Sequence, residues 1–180
     1  MILKCKFSGL LKKDLDFFDS YGNAIYSVEI LRRFRSRPVM YLKDKFGNLL
    51  YWMMKKSQMF RSEYIVDDFI NCSPKYAYCK GRKIYIFLED ESCALVLTRH
   101  FLKRNFEIYL DKELLLTAFS EGVFSSRYTF EFQNEKYTDL CMCAIAILFD
   151  VINNELMTSI VSSGFYKWGR NGFDGEHEFK

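Results

Sequence analysis

The apolar stretch LCMCAIAILFDVIN at 140–153 constrains the fold of this chain more than any other feature. Its ten consecutive apolar residues, 140–149, span only about 15 Å as a helix, whereas a membrane crossing takes about 20 residues. Apolar side chains cover every side of this helix, so a water-soluble fold has to bury it completely. The sequence therefore predicts a buried C-terminal helix over about residues 138–156, capped by Thr138 or Asp139.

Most of the remaining chain alternates apolar and polar residues, which is the pattern of half-buried strands. The clearest examples are NFEIYL at 105–110 and RYTFEFQ at 127–133. Similar segments occur at 3–7, 24–34, 39–42, 49–54, 64–69, 76–79, 84–88 and 93–97. The 18 Phe and 12 Tyr against 2 Pro also favour strands.

Turn signals separate these strands. DSYGNAIY at 19–26 and DKFGNLLY at 44–51 share an Asp, an aromatic residue, Gly-Asn and a final Tyr, which predicts the same hairpin turn twice. Lys80 and Gly81 give a further hairpin signal. Repeated hairpins and one wholly apolar helix predict a mainly β (α+β) fold, a closed antiparallel β-barrel around the helix. We assign the barrel domain to 1–163 and leave 164–180 as an unassigned tail.

The composition limits the functional classes. Lys and Arg total 26 against 23 Asp and Glu, and this net charge of +3 is far from the balance of a dedicated nucleic-acid-binding domain. The six Cys are scattered without a C-x-x-C motif, so we expect reduced core residues. Lysines interrupt the N-terminal segment too early for a signal peptide, which predicts a cytoplasmic protein.

Motifs for catalysis and metal binding are missing from the sequence, which has no G-x-S-x-G, P-loop or H-E-x-x-H pattern. The two histidines are His100 and His177, and nothing indicates that His100 lies beside Cys93 as a nucleophilic pair. Cys141 and Cys143 project about 200° apart on a helix, which suits core packing better than metal ligation. We therefore expect no catalytic residue, metal or cofactor.

Asp150 is an ionisable residue within the apolar helix segment. A buried carboxylate has to be paired or hydrogen-bonded. Asn153 and Asn154 follow about one turn later, so we interpret Asp150 as the point where the helix emerges into water.

The order of these elements resembles the tubby C-terminal-like superfamily, in particular its LURP-one-related and phospholipid-scramblase-like branches. The features that carry the resemblance, over roughly residues 1–160, are the doubled turns, KKSQMF at 55–60 leading into YIV at 64–66, the aromatic strand at 127–132 and the helix CAIAILFDVIN. The resemblance implies a closed barrel threaded by a hydrophobic helix. Tubby proteins bind phosphoinositide headgroups on such a barrel, and scramblase-like members are associated with membranes. Many bacterial and plant relatives have no established activity, so the resemblance transfers no specific ligand.

Basic residues rank as candidate contacts for an anionic lipid. In ILRRFRSRP, an extended chain places Arg33, Arg35 and Arg37 on one face about 6.6 Å apart, where they could bind phosphate oxygens; a solvated strand end before a proline is the alternative. Lys55 and Lys56 are weaker candidates. We interpret the remaining basic clusters as turn residues that promote solubility and protect strand edges: Lys80, Arg82, Lys83, Lys103 and Arg104.

Three functions remain open at this point. Our hypothesis is a protein that binds an anionic phospholipid or membrane surface peripherally. The alternative is a protein-interaction or structural scaffold without a small ligand. Binding of single-stranded nucleic acid, with Phe34 or Tyr41 stacking on bases, is a third possibility, and the low net charge argues against it. The sequence leaves the oligomeric state undetermined.

Overall fold

The computed structural model of the chain describes residues 1–6, 14–31, 38–57, 62–68, 74–80, 83–87, 94–99, 105–120 and 127–152. These residues form a closed antiparallel barrel in which each strand pairs with its neighbours in sequence and the first strand pairs with the last. The strands are β1 Ile2–Lys6, β2 Asp14–Phe18, β3 Ala24–Leu31, β4 Val39–Asp44, β5 Leu49–Ser57, β6 Ser62–Asp68, β7 Pro74–Lys80, β8 Lys83–Phe87, β9 Ala94–Arg99, β10 Phe106–Leu110, β11 Glu113–Ser120 and β12 Arg127–Phe132. The 3-10 helix Glu135–Tyr137 leads into helix α1, which the structure describes over 138–152.

Helix α1 fills the interior of the barrel. All residues from 141 to 150 are buried, and the inward side chains of the strands pack around them. In β4, Met40 and Leu42 are fully buried, whereas Tyr41 between them points to the outer surface. Each large apolar side chain buried in this way contributes about 1.5–3 kcal/mol. The predicted mainly β barrel around a buried C-terminal helix is confirmed.

The two predicted hairpin turns have the same geometry. After β2, the Asp19 carboxylate accepts hydrogen bonds from the backbone N–H and the side-chain amide of Asn23, at 2.8 and 2.9 Å. At the end of β4, Asp44 accepts the equivalent pair of bonds from Asn48, both at 2.8 Å. The hydrogen bond from the Asn side chain is the largest cause that lowers the pKa of both Asp carboxyls, and the backbone hydrogen bonds lower it further. Gly22 and Gly47 adopt φ of +86° and +83°, the left-handed region that glycine enters readily.

Strands β2 and β11 were not predicted from the alternation pattern. In β11 the register shifts between its pairs with β10, because Ile108 lies opposite Leu116 while Tyr109 lies opposite Leu114. The extra residue Leu115 is buried beside the buried Leu116. Such a β-bulge interrupts the period of two. Strand β2 does alternate, with Leu15 and Phe17 buried on either side of Asp16, and was overlooked.

The barrel has two ends that differ in their connections. The turn end carries the two Gly-Asn hairpins and the start of α1; the lysine end carries the last residue of β7, Lys80, and the first residue of β8, Lys83. Within the part of the chain that the structure describes, no helix combines the length and the apolar character that a bilayer crossing requires. The predicted tail 164–180 lies outside the described residues.

Candidate functional site

A polar seam runs along one side of the buried helix. Asp139 and Asp150 are eleven positions apart, which is three turns plus about 20°, so they share a face of α1. The hydroxyl of Tyr26 donates to Oδ1 of Asp139 at 3.0 Å. The hydroxyl of Tyr64 donates to Oδ2 of Asp150 at 2.9 Å. Strands β3 and β6 therefore supply hydrogen-bond donors to this face of the helix.

The interpretation that Asp150 marks the emergence of the helix into water is wrong. Asp150 has no exposed surface. The physical reason is that the wall of the barrel extends beyond this position and supplies both a hydroxyl, from Tyr64, and a positive charge, from Lys55. The Nζ atom of Lys55 lies 3.7 Å from Oδ2 of Asp150. A buried carboxylate with these two partners satisfies the pairing requirement.

Lys55 and Lys56, both predicted anion contacts, lie on opposite faces of β5. Lys55 points inward, where its side chain is 20% exposed and its Nζ lies 5.8 Å from the centre of the Tyr64 ring. Lys56 points outward, with its Nζ 5.2 Å from the ring of Tyr76. The two lysines therefore do not form one site. Because Asp150 already neutralises Lys55, Lys56 is the better placed of the two for an external anion.

At the turn end the interior holds phenols and carboxyls. The hydroxyl of Tyr51 lies 3.4 Å from Oδ2 of Asp68. Burial raises the pKa of both Tyr26 and Tyr51, and the neighbouring carboxylates Asp139 and Asp68 raise them further. Burial also raises the pKa of Asp139, although its hydrogen bond from Tyr26 opposes this shift. The hydroxyls of Tyr26 and Tyr51 therefore stay protonated inside the wall.

The helix thiols are protected in the same interior. Burial is the main cause that raises the pKa of Cys141 to about 12 and the pKa of Cys143 well above its ordinary value. A thiol in such surroundings is a poor nucleophile and a poor metal ligand, since both roles need the thiolate. Among the described residues, no group of three His, Cys, Asp or Glu is arranged to hold a metal ion.

The lysine end carries a rim of positive charge. Among the residues that begin or end the strands at this end, one is acidic, Asp14, and five are basic: Lys6, Lys80, Lys83, Arg99 and Arg127. The strand termini at the opposite, turn end include three acidic residues and no basic one: Asp44, Asp68 and Glu113. The strand termini are therefore mainly basic at the lysine end and acidic at the turn end.

Two pairs of basic residues on this rim lie directly opposite each other on neighbouring strands. Lys80 pairs with Lys83 across β7 and β8, and both side chains are exposed. Lys6 pairs with Arg127 across β1 and β12. Like charges in directly opposed positions destabilise a sheet. Strands β1 and β7 are separated by six steps in either direction around the barrel, so the two pairs stand on opposite sides of one rim.

An aromatic cluster lies next to the Lys80 and Lys83 pair on the outer wall. We call Tyr76, Tyr78, Tyr85 and Phe87 the aromatic face. Tyr76 is 58% exposed and the other three are half-buried. The rings of Tyr78 and Tyr85 are stacked with centroids 4.8 Å apart, and Tyr78 also stacks with Phe87 at 5.6 Å.

The predicted contacts Arg33, Arg35 and Arg37 lie outside the described residues and stay a prediction. The opposed basic pairs were missed from the sequence, where Lys80 and Lys83 were interpreted as solubilising turn residues. The turn predicted at Lys80 and Gly81 is off by one residue, because Lys80 belongs to β7 and pairs with Lys83 of β8. The register of that turn is the signal that could have found the pair.

A closed antiparallel barrel that encloses its own C-terminal helix defines a tubby-like barrel. The family model for LURP-one-related proteins matches residues 1–150, so the chain belongs to the LURP-one-related family, part of the tubby-like superfamily. No curated protein and no solved structure gives a significant match. The predicted resemblance to this family is confirmed, while the scramblase-like branch stays a prediction.

Proposed function

We propose that this LURP-one-related barrel is a non-enzymatic protein that binds anionic lipid headgroups at a membrane surface through the basic rim of its lysine end. The observation that carries the proposal is the directly opposed pair of exposed lysines, Lys80 and Lys83. Two like charges in directly opposed positions are unfavourable in the free protein. A surface of phosphate groups placed against this part of the rim relieves the repulsion and accepts charge-assisted hydrogen bonds.

The distribution of charged strand termini along the barrel determines which end faces the membrane. A net charge of +3 is small, but the basic strand termini lie at one end and the acidic ones at the other. The field of an anionic surface therefore attracts the lysine end and repels the turn end. A cytoplasmic protein, bound peripherally to the membrane, is part of the proposal.

The strength of this attraction follows from the charges on the rim. Among the described strand termini of this end, five basic residues less one acidic residue leave four net positive charges. A basic residue near an anionic membrane contributes about 1 kcal/mol, so the rim supplies about 4 kcal/mol, equivalent to a Kd of about 1 mM. Stable peripheral binding therefore needs further contacts.

The arginines predicted from the sequence are one source of such contacts. Arg33, Arg35 and Arg37 belong to the stretch between Leu31 and Pro38, and the strands on either side of this stretch, β3 and β4, end and begin at the lysine end. Lys56, which points outward from β5, is another predicted contact.

Co-sedimentation with vesicles tests the proposal. The protein is mixed with neutral phosphatidylcholine vesicles and with vesicles that also contain phosphatidylserine, at low and at physiological salt, beside an Arg33→Ala/Arg35→Ala/Arg37→Ala variant that is checked for folding. We expect binding to the anionic vesicles alone, weakened by salt and by the arginine substitutions. A native protein that stays in the supernatant with both lipids contradicts the proposal and favours the protein-interaction scaffold.

A further inference from the structure

The outer surface of the barrel differs between its two sides. Across β7 to β10, the outward positions in one row are Tyr78, Tyr85, Val96 and Tyr109, each directly opposite the next. On the far side, the corresponding outward positions of β1 and β12 are mostly polar, since Lys4 lies opposite Thr129 and Ile2 opposite Glu131, and a single aromatic ring, Phe119, lies beside Thr129. A soluble barrel normally carries polar residues on its outer face, so a contiguous aromatic area marks an interaction surface.

This aromatic area is continuous with the charged rim. Tyr78 is two residues before Lys80 on β7, and Tyr85 is two residues after Lys83 on β8. A strand rises about 3.3 Å per residue, so the positions of these rings lie about 6.6 Å from the lysine pair along the strands. Apolar groups of peripheral proteins reach about 5–10 Å into the interface between headgroups and acyl chains.

We propose that the aromatic face is the part of the barrel that enters the bilayer. The barrel docks on the β7–β8 side of its wall, so that the outward rings of Tyr78 and Tyr85 enter the interface while Lys80 and Lys83, further along the same two strands, reach the lipid phosphates beside them. The inference rests on the proposed membrane binding, and it supplies the apolar contribution that four net charges alone do not provide.

The chemistry of the face fits an anionic bilayer better than other occupants. Tyrosine is enriched at membrane interfaces because its ring is apolar and its hydroxyl hydrogen-bonds, and the adjacent lysine pair complements the negative lipid. Nucleic-acid bases stack on open ring faces, whereas Tyr78 is already stacked against Tyr85 and Phe87. The wall of a closed barrel is convex, and a fluid interface deforms around a convex surface.

A tryptophan placed on the face measures its penetration. The starting protein carries Trp52→Phe and Trp168→Phe, which remove the two native tryptophans. The test variant adds Tyr85→Trp. The matched control adds Thr129→Trp, which points outward from β12 two residues from Arg127, just as Tyr85 lies two residues from Lys83. Both proteins are titrated with anionic vesicles that contain lipids brominated on the acyl chains.

We expect the fluorescence of the Tyr85→Trp protein to shift to the blue and to be quenched, and the fluorescence of the Thr129→Trp protein to stay nearly unchanged. Equal quenching in both proteins, or none in either while both still sediment with the vesicles, overturns the inference and leaves the proposed function standing. No sedimentation of the native protein overturns both.

A loss-of-contact variant gives independent evidence. Tyr78→Ser with Tyr85→Ser is expected to weaken binding to anionic vesicles about tenfold or more, since an aromatic side chain that leaves the interface loses most of its transfer free energy. The melting temperature of the variant is measured beside that of Lys4→Ser, which changes the polar side. An unchanged vesicle affinity in a folded variant overturns the inference. The oligomeric state is measured by analytical sedimentation. A native dimer that the Tyr78→Ser/Tyr85→Ser variant loses, while the variant still binds vesicles as the native protein does, overturns the inference and assigns the face to a second copy of the chain.

Discussion

Substituting Tyr64 by Phe removes a hydroxyl that ties the barrel wall to the carboxylate at the centre of the structure. The hydroxyl donates to Oδ2 of Asp150 at 2.9 Å, and both residues are fully buried. The substitution keeps the ring, so packing around it changes little. What is lost is one hydrogen bond to a charged group that water cannot reach.

The expected magnitude follows from this geometry. A hydrogen bond to a charged group contributes about 1.5–3 kcal/mol, and we expect Tyr64→Phe to lower the free energy of unfolding by about 2 kcal/mol. For a chain of 180 residues, each kcal/mol lowers Tm by about 2–4 °C, so Tm falls by about 4–8 °C. The control is Tyr85→Phe, which removes an outward hydroxyl and should stay within about 0.5 kcal/mol of the native protein.

A double-mutant cycle assigns this loss to the pair. Urea unfolding is measured for Tyr64→Phe, Asp150→Leu and the two together. Asp150→Leu leaves the ammonium of Lys55 without its carboxylate, and we expect a loss of about 3–5 kcal/mol, part of which is recovered when Lys55→Met is added. Strictly additive effects of Tyr64→Phe and Asp150→Leu, or equal effects of Tyr64→Phe and Tyr85→Phe, refute the reasoning.

Other predictions concern the turns and the helix thiols. Gly22→Ala and Gly47→Ala should each cost about 1 kcal/mol in urea unfolding because a Cβ disfavours positive φ; a Cβ at either site meets nothing within 4 Å, so the cost is conformational, and Gly47→Asn should cost less. Cys141 and Cys143 should react with a thiol reagent only on unfolding; rapid labelling of the native protein contradicts their burial. In the unfolded chain a thiol ionises near pH 9, whereas the pKa of Cys141 in the fold is about 12. The unfolded state therefore loses its proton first, and stability falls as pH rises above about 9. Cys141→Ala should flatten this alkaline decline, and an equally steep decline in the variant refutes the assignment.

The parts of the fold that were predictable are those encoded locally. Helix α1 is apolar on all sides and the Gly-Asn hairpins repeat one short motif, so a short stretch of sequence is enough to predict each of them. Strand β11 was missed because the bulge at Leu115 depends on its pairing with β10.

The candidate site was less predictable, because its contacts link residues far apart in the chain. Asp150 meets a hydroxyl 86 positions away, so its local neighbours, which suggested exposure, were misleading. Lys6 and Arg127 become a pair only when the barrel closes. A single sequence indicates which residues are basic, and the closure of the barrel determines which of them face each other.

The most direct test of membrane binding by the lysine end compares two charge-reversal variants in vesicle co-sedimentation. Lys80→Glu/Lys83→Glu changes the lysine end, and Lys112→Glu/Lys136→Glu makes the same change in net charge with exposed residues near the turn end. The account predicts that the first variant loses binding to anionic vesicles while the second retains most of it. Equal losses in both would show that only net charge matters, and full binding by the first would contradict the proposed role of the rim.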